Sequence, residues 1–312
     1  MKVVVTGGAG FIGANLCRAL SVGDLVDEVI ALDDLSSGFA SNLEGVDAAL
    51  VEGDLCDPDV LDAVLPRAAS VVHLGARPSV PRSIEDPMAS HHSNATGTLE
   101  VLEGMRRHRV PHVVVASSSS VYGANPHLPK HEGLVPMPVS PYAVSKLATE
   151  AYALSHAACF GLGALAFRFF NVFGPLQVAG HAYAAVVPAF VSAALAGEPV
   201  TVHGDGKQTR DFTYVGSVCE VLSQAVVARV THERPVNLAF GGRFSLLELL
   251  ELLEGVLGHT VDRDHVDPRP GDVLDSQADQ TTLRGLFPDV DPISLEDGLR
   301  RTVDWFRTGA IT

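Results

Sequence analysis

The residues with the clearest chemical potential in this sequence are Tyr142 and Lys146, which are four positions apart. At this spacing two side chains share one helix face, so the lysine ammonium can stabilise a phenolate and lower the pKa of the phenol. Tyr142 is therefore a candidate general base. The serine run Ser117–Ser120 ends a strand pattern and can supply a hydroxyl that bonds the same substrate oxygen. A Tyr-x-x-x-Lys spacing alone is usually a solvated helix face, so the assignment depends on the rest of the chain.

A glycine-rich turn near the N-terminus has the composition of a dinucleotide-binding site. A strand pattern runs directly into Gly7–Gly13, and a helix pattern follows. Without Cβ atoms such a turn lets a pyrophosphate approach the helix N-terminus, whose free N–H groups favour anions. Asp33 ends the next strand 20 residues after Gly13, where a carboxylate can accept the ribose hydroxyls of adenosine. The predicted cofactor-binding residues of this region are Gly7, Gly10, Phe11, Ile12, Gly13 and Asp33.

The neighbourhood of Asp33 also indicates which dinucleotide is bound. No Arg or Lys occurs in residues 34–42 to receive a 2′-phosphate, so the sequence favours NAD over NADP. Asp54 and Leu55 follow the third strand and can place a carboxylate and an apolar side chain at the adenine edge. A helix N-cap turn before Pro58 explains the same spacing equally well.

The elements that must position these residues alternate regularly along the first half of the chain. Short β-branched runs predict strands at Lys2–Thr6, Glu28–Leu32, Ala49–Glu52, Ser70–Leu74, His112–Ala116 and Ala164–Arg168. Helix patterns lie between them at Phe11–Leu20, Asp59–Leu65, Ser93–Arg107 and Ser145–Ala158. The expected fold is α/β, a doubly wound parallel Rossmann sheet with right-handed crossovers.

The regular alternation of strand and helix patterns ends at about residue 170. Beyond it, Pro-rich loops separate four further helix patterns: Tyr183–Ala196, Ser217–Ala228, Ser245–Leu257 and Ser294–Phe306. We expect a smaller C-terminal α/β lobe over the carboxyl edge of the sheet, where such folds bind ligands. The predicted domains are a cofactor domain at 1–170 and a substrate-binding lobe at 171–312, with some segments returning to the sheet.

Composition excludes several classes of protein. A net charge of −15 with no basic run longer than 106–109 argues against nucleic acid as a partner. Apolar stretches are too short for a membrane span, and no export signal precedes the first strand, so we expect a cytoplasmic protein. The four separated cysteines are expected to be reduced. Of 13 histidines, only His91 and His92 are adjacent, and they point apart on a helix, so no metal site is predicted.

Taken together, these motifs resemble the extended short-chain dehydrogenase/reductases that act on nucleotide sugars. The resemblance runs essentially end to end and is carried by the glycine turn, the serine run and the Tyr142/Lys146 pair. It is also carried by these segments: His73–Ala76, Asn94–Thr98, Arg168–Pro175, Gly204–Phe212 and Arg269–Asp272. The resemblance implies that Ser118 is the catalytic serine, assisted by Ser119. It adds Leu74, Ala76 and Asn94 to the cofactor site.

The same resemblance implies which residues hold the sugar nucleotide. An acidic protein that binds a nucleoside diphosphate needs local guanidinium groups that clamp phosphate oxygens. The implied substrate-binding residues are Ser79, Ser118, Ser119, Tyr142, Asn171, Val187, Arg210, Arg269, Asp272 and Ser276. From spacing alone, surface ion pairing explains Arg210 and Arg269 better.

The family's dehydratases and decarboxylases carry an acidic residue just after the catalytic Ser or Thr. Ser119 and Ser120 occupy those positions here, so the resemblance points to a 4-epimerase that uses NAD. Ser276 falls where glucose-specific relatives carry a bulky Tyr. We therefore expect UDP-GlcNAc and UDP-GalNAc as substrates, with UDP-glucose and UDP-galactose also accepted, most like the bacterial N-acetylhexosamine type.

Several departures and alternatives stay open. Arg77-Pro78 and Leu176 are unusual beside the sugar pocket, and Arg77 or Arg82 can supply the cation that a UDP-glucuronate 4-epimerase needs. A dehydratase, a reductase and a non-catalytic NAD(H)-sensing module are the other readings. The segment after Phe212 lacks a usual acidic pair, and Ser217 is expected to cap the next helix instead. The resemblance further implies a homodimer through a four-helix bundle of Ser93–Arg107 and Ser145–Ala158.

Overall fold

The computed structural model describes residues 1–179, 185–268, 275–309 and 311. Seven parallel strands form the central sheet in the order β11-β6-β5-β4-β1-β2-β3. They are β1 (Lys2–Thr6), β2 (Glu28–Asp33), β3 (Ala49–Glu52), β4 (Ser70–His73), β5 (His112–Ser118), β6 (Gly163–Phe169) and β11 (Val236–Leu238). Six of them match predicted strands, and the expected doubly wound Rossmann fold is confirmed.

Helices cover both faces of this sheet. In the first half they are α1 (Phe11–Ser21), α2 (Pro58–Val64), α3 (Val80–Glu85), α4 (Pro87–His91), α5 (Gly97–His108) and α6 (Pro141–Phe160). Later come α7 (Val186–Ala196), α8 (Val215–Val227), α9 (Leu246–Leu257), α10 (Thr281–Leu286) and α11 (Leu295–Thr308). Alternate strand residues feed two apolar cores, one on each face, since neighbours such as Val4 and Val5 belong to different cores.

The second lobe is assembled from three two-stranded pairings instead of one sheet. β7 (Asn171–Phe173) pairs parallel with β10 (Phe212–Tyr214), and β8 (Val200–His203) pairs parallel with β13 (Arg263–Val266). β9 (Thr209–Arg210) pairs antiparallel with β12 (Phe244–Ser245). One segment of the second half of the chain also joins the central sheet, because β11 pairs with β6.

Three helix predictions need correction. α6 begins at Pro141 and not at Ser145, because the Ser140 hydroxyl accepts from the Ala143 N–H and Pro fits the first turn. The predicted helix Ser93–Arg107 is interrupted by a π-helical turn at His92–Thr96. Ser217 does not cap α8, since its buried hydroxyl accepts from the Ile293 N–H.

Two other expectations concern the whole chain. All four cysteines are free thiols. Within the described ranges, no helix combines the length and the apolar character that crossing a lipid bilayer requires.

Candidate active site

The carboxyl end of β5 and the first turn of α6 bring Ser118 and Tyr142 together. A side-chain hydrogen bond joins the Ser118 hydroxyl to the Tyr142 phenol. The Tyr142 backbone N–H donates to Ser83 Oγ at 3.0 Å, which fixes the start of α6 against α3. The predicted serine and tyrosine are thus within hydrogen-bonding reach, as a general base and its substrate-orienting partner must be.

Lys146 lies one turn further along α6, buried beneath Tyr142. Its Nζ donates to the Ala116 carbonyl of β5 at 2.8 Å. Burial lowers the pKa of Lys146 to about 8. The pKa of Tyr142, however, is raised by burial and only partly lowered by the Ser118 hydrogen bond. The expected lowering is therefore not seen here, because desolvation of the phenol outweighs its hydrogen bond and the ammonium is bonded to β5.

The serines after Ser118 complete a polar, uncharged turn. Ser119–Tyr122 forms a 3-10 helix in which Ser118 Oγ accepts from the Ser120 N–H at 3.2 Å and from Ser120 Oγ at 2.9 Å. Both Ser119 and Ser120 are half-buried. The positions directly after the catalytic serine thus offer hydroxyls and no carboxylate.

A buried ion pair behind this site was not identified from the sequence. Glu150 and Arg168 form a two-point contact, with Nη2 to Oε1 at 2.6 Å and Nε to Oε2 at 3.0 Å. Ser117 Oγ donates to Glu150 Oε2 at 2.7 Å and to the Lys146 carbonyl at 3.2 Å. The pair therefore links β6, β5 and the catalytic helix. Glu150 lies four residues after Lys146, and that spacing was the available signal.

The glycine turn packs too tightly for side chains. Gly7 has a φ of +68°, which favours glycine, and its N–H donates to the Leu32 carbonyl at 2.8 Å. A Cβ on Gly13 would lie 2.0 Å from the Gly7 carbonyl oxygen. The buried Asp33 carboxylate accepts from the Ala9 and Leu35 N–H groups, both at 2.9 Å, and burial raises its pKa.

This geometry fits NAD. No acidic residue occupies the first turn of α1 and no side chain caps it, so its N-terminal N–H groups and dipole suit a pyrophosphate. Phe11 and Ile12 open this helix and are half-buried. Asp33 sits at the carboxyl end of β2, with acceptor capacity beyond its two backbone bonds.

The predicted adenine edge is a well-anchored loop. Leu55 packs against Gly75 and Gly97. A Cβ added to Gly75 would lie 2.6 Å from one Leu55 methyl group, and a Cβ added to Gly97 would lie 2.0 Å from the other. Asp54 is exposed, and its Oδ1 accepts from the Cys56 N–H at 2.8 Å. The N-cap of α2 is Asp57, not Asp54, because Asp57 Oδ1 accepts from the Asp59 N–H. The turn before Pro58 is thus present, with Asp57 as its cap, and Asp54 belongs to this turn through its bond from the Cys56 N–H.

Three further cofactor candidates lie around β4. Leu74 and Ala76 are half-buried just beyond its carboxyl end, and the Leu74 N–H donates to the Thr6 carbonyl. Asn94 is buried, and its amide is used within the protein: Oδ1 accepts from the Arg77 N–H at 2.7 Å and Nδ2 donates to Ser145 Oγ at 2.9 Å. Asn94 thus braces the loop after β4 against α6.

Several substrate candidates of the second lobe lie around Asp211, whose carboxylate is buried. Asp211 Oδ2 accepts from the Gly241 and Ala278 N–H groups at 3.1 and 3.0 Å. The Asp211 carbonyl accepts from the backbone N–H and side-chain amide of Asn171. Burial raises the pKa of Asp211 to about 7. Asp211 was part of the quoted Gly204–Phe212 segment but was not singled out as a site residue.

The neighbours of Asp211 include two predicted contacts. Arg210 is half-buried in β9, and its Nη1 donates to the Thr209 carbonyl at 2.9 Å. The Ser276 N–H donates to the same carbonyl at 3.0 Å. Arg210 and Ser276 therefore meet at the Thr209 carbonyl of β9, although they are 66 positions apart in the sequence.

The remaining candidates are more scattered. Val187 is buried in the first turn of α7. Ser79 precedes α3 with a φ of +97°, an unusual conformation for a non-glycine residue, and its Oγ accepts from the Arg82 N–H at 3.4 Å. Arg269 and Asp272 lie outside the described residues.

Comparison with known proteins identifies the family. The model of the NAD dependent epimerase/dehydratase family matches residues 3–239. The chain belongs to this family. Its dependence on NAD, predicted from the glycine turn and Asp33, is thereby confirmed.

The relatives include several 4-epimerases. The UDP-glucose 4-epimerase of Mycolicibacterium smegmatis is 35% identical over 98% of this chain and 99% of its own length. A solved UDP-N-acetylglucosamine 4-epimerase from Methanobrevibacter ruminantium M1, in complex with UDP-N-acetylmuramic acid, is 36% identical with a TM-score of 0.93 and covers 99% of both chains. UDP-glucose 4-epimerase from Thermotoga maritima, solved with UDP-glucose, is 32% identical with a TM-score of 0.91 and the same coverage. The epimerase prediction agrees with all three.

Proposed function

We propose that this protein is an NAD-dependent UDP-hexose 4-epimerase that interconverts UDP-GlcNAc and UDP-GalNAc and also accepts UDP-glucose and UDP-galactose. The observation that carries the proposal is the Ser118–Tyr142 hydrogen bond above a buried Lys146, in a turn without a carboxylate. NAD, when bound, accepts the hydrogen from C4 and later returns it.

In this proposal Tyr142 removes the proton of the C4 hydroxyl while Ser118 holds the same oxygen. The lysine charge, one helical turn away, favours the phenolate when it forms. With Ser119 and Ser120 in place of an acid, the two positions after Ser118 offer no carboxylate to remove a C5 proton or to help expel a C6 substituent. The 4-keto sugar then proceeds only by regaining hydrogen at C4, from either face, and return on the opposite face is epimerisation.

The substrate lobe must hold the diphosphate firmly and the hexose loosely. We assign the diphosphate and uridine to Asn171, Val187, Arg210, Arg269 and Asp272, and the sugar to Ser79, Ser119 and Ser276. The Asp211 contacts support this arrangement, since Asp211 directly follows β9 and is bonded both to Asn171 and to Ala278, two residues after Ser276. Ser276 leaves room for a 2-acetamido group.

A UDP-glucuronate 4-epimerase is the second candidate, because Arg77 and Arg82 lie in the loop and helix that follow β4. Arg77 Nη1, however, is 3.6 Å from Asp86 Oδ2, so its charge is partly balanced within the protein. That contact favours the neutral hexoses over the glucuronate.

Incubation with each sugar separately tests the assignment. The holoenzyme is mixed with UDP-GlcNAc, UDP-glucose or UDP-glucuronate, and anomeric proton signals are followed by NMR with absorbance at the NADH band as a monitor of net redox. We expect gluco/galacto mixtures from the first two sugars and no NADH accumulation. Epimerisation of UDP-glucuronate alone would overturn the pocket assignment, and net NADH formation would indicate a dehydrogenase.

We also propose a homodimer in which α5 and α6 of two chains form a four-helix bundle. α6 buries one face on the sheet, yet its Val144 is 52% exposed and its Tyr152, two turns further along, is 38% exposed. Apolar side chains on the outer face of an already packed helix favour a partner surface. Light scattering of the wild type and of Val144→Glu tests this: we expect a dimer and a weakened dimer, and a monomeric wild type would contradict it.

A further inference from the structure

One cluster of metal-binding side chains lies outside the catalytic centre and was missed in the sequence. Asp54, Cys56 and His92 each present a ligand atom, and these atoms all lie within 4.8 Å of one another. Cys56 and His92 are 36 residues apart, and no spacing motif joins them. They meet because the loop after β3 packs against the π-helical turn at His92–Thr96.

The backbone on both sides of this cluster is held in place. Leu55 is wedged beside Gly75 and Gly97, and Cys56 Sγ lies 3.7 Å from the His92 carbonyl oxygen. On the other side, Asp57 caps α2. The three ligand-bearing residues therefore approach one another through the anchoring of the fold and not through chance contact of long side chains.

The chemistry of the donors selects the ion. A thiol and an imidazole favour Zn²⁺ over Mg²⁺ or Ca²⁺, which take oxygen ligands. Bonds of about 2.0–2.3 Å in a tetrahedral site place ligand atoms about 3.5 Å apart. The ligand atoms here lie within 4.8 Å of one another, so side-chain rotations that move them by about 1 Å reach that spacing. Three protein ligands leave the fourth position for water.

The local charge also favours a cation. Besides Asp54 itself, the carboxylates of Glu100 and Asp34 act on the Cys56 side chain. Such negative charges attract a divalent cation.

We propose that Asp54, Cys56 and His92 form a Zn²⁺ site on the surface of the cofactor domain. Because Asp54 is also the residue predicted at the adenine edge, the metal would lie beside the outer end of the cofactor site and away from the sugar.

Cobalt titration of the NAD-loaded protein tests the site. We expect one Co²⁺ per chain with a thiolate-to-cobalt charge-transfer band that one equivalent of Zn²⁺ removes. Cys56→Ser should abolish the band. His92→Gln should weaken binding by about 100-fold or more, since even the hydrogen-bond partners of ligands change affinity by about 10- to 100-fold.

Two neighbours supply matched controls. Cys159 is an exposed free thiol and His91 is the exposed histidine next to His92, so Cys159→Ser and His91→Gln should bind like the wild type. Both ligand variants alter surface or half-buried side chains, and thermal melting verifies their folding. No charge-transfer band in the wild type, or a band that survives Cys56→Ser and is lost in Cys159→Ser, would overturn the proposal.

Discussion

We assign the cofactor to the glycine turn and the sugar nucleotide to the surroundings of Asp211. The two regions are held in place by different means. At the turn, backbone meets backbone: Gly13 leaves no space for a Cβ, and Gly7 is bonded to the next strand. Around Asp211, one buried carboxylate holds the Gly241 loop and the Ala278 segment together, and the Asp211 backbone carbonyl accepts from Asn171. The cofactor half is thus fixed by the continuous sheet, whereas the substrate half depends on a few side-chain contacts.

This difference suits a reaction in which the cofactor stays in place while the sugar presents two faces. A rigid parallel sheet positions the dinucleotide and Ser118 at its carboxyl edge. A lobe assembled from short pairings can hold a diphosphate through local contacts and leave the hexose room to turn. The predictions below perturb the catalytic residue first, and then each half in turn.

The largest expected effect is that of Tyr142→Phe. Loss of the general base should lower kcat by about 10²- to 10⁴-fold, while the NAD content of the protein stays unchanged. Steady-state epimerisation assays and cofactor content by denaturing release measure the two quantities. Tyr152→Phe, at an exposed tyrosine on the same helix, is the control. Full activity of Tyr142→Phe would favour an NAD(H)-sensing module.

Gly13→Ala tests the cofactor half. The added Cβ would lie 2.0 Å from the Gly7 carbonyl oxygen, so the turn must shift and NAD affinity should fall by roughly 10- to 100-fold. Equilibrium binding of NAD measures this. Gly255→Ala in α9 is the control, because a Cβ there meets nothing within 4 Å. Equal NAD affinities for the two variants would show that the turn is not the binding element.

Asp211→Ala tests the substrate half. The buried N–H groups of Gly241 and Ala278 lose their acceptor, so the segment that carries Ser276 loses its anchor, while the bonds of Asn171 to the Asp211 backbone carbonyl remain. We expect KM for the UDP-sugar to rise about tenfold or more, with NAD affinity unchanged. A parallel loss of NAD affinity would show that the two halves are not independent.

Asp211→Asn gives a second, pH-dependent test of the same anchor. Burial raises the pKa of Asp211 to about 7 from an ordinary value of 3.8, so the native protein holds this proton more tightly than the unfolded chain. Its contribution to stability is therefore largest below about pH 4 and declines as the pH rises to about 7. Asn does not titrate. The free energy of unfolding of the variant, measured with denaturant relative to that of the wild type, should therefore rise between about pH 4 and about pH 7 and stay constant at higher pH.

The smallest expected effect is on sugar choice. Ser276→Tyr should reduce activity on UDP-GlcNAc relative to UDP-glucose by about five- to tenfold, or about 1–1.4 kcal/mol, at the lower end of the roughly 1–3 kcal/mol by which a pocket discriminates a small group. The ratio of kcat/KM for the two sugars measures it, and Ser276→Ala, which keeps the space open, is the control. An unchanged ratio would place Ser276 away from the 2-acetamido group.

The sequence predicted the cofactor half more completely than the substrate half, and the reason is physical. Strand periodicity, the glycine turn and Asp33 are local signals within one βαβ unit, and the structure contains each of them where expected. β11 was not predicted, because a strand of three residues is too short to show a period. The π-helical turn was not predicted either, because no residue type in His92–Thr96 is specific to that conformation.

Contacts between distant segments were harder to infer. Asp211 joins positions 67 residues apart, and the Asp54, Cys56 and His92 cluster spans two loops, so neither has a spacing signature. The bond from Lys146 to the Ala116 carbonyl likewise depends on how α6 lies on β5. Such contacts require the tertiary structure.

The central claim is that hydrogen leaves C4 of the sugar and returns to the same carbon. Incubating the holoenzyme with UDP-GlcNAc carrying deuterium at C4 tests it most directly, with NMR and mass spectrometry of both sugars. We predict UDP-GalNAc that retains the label at C4, with no solvent hydrogen incorporated. Deuterium found at C6, or lost from the sugar, would contradict a 4-epimerase and indicate dehydration or net oxidation.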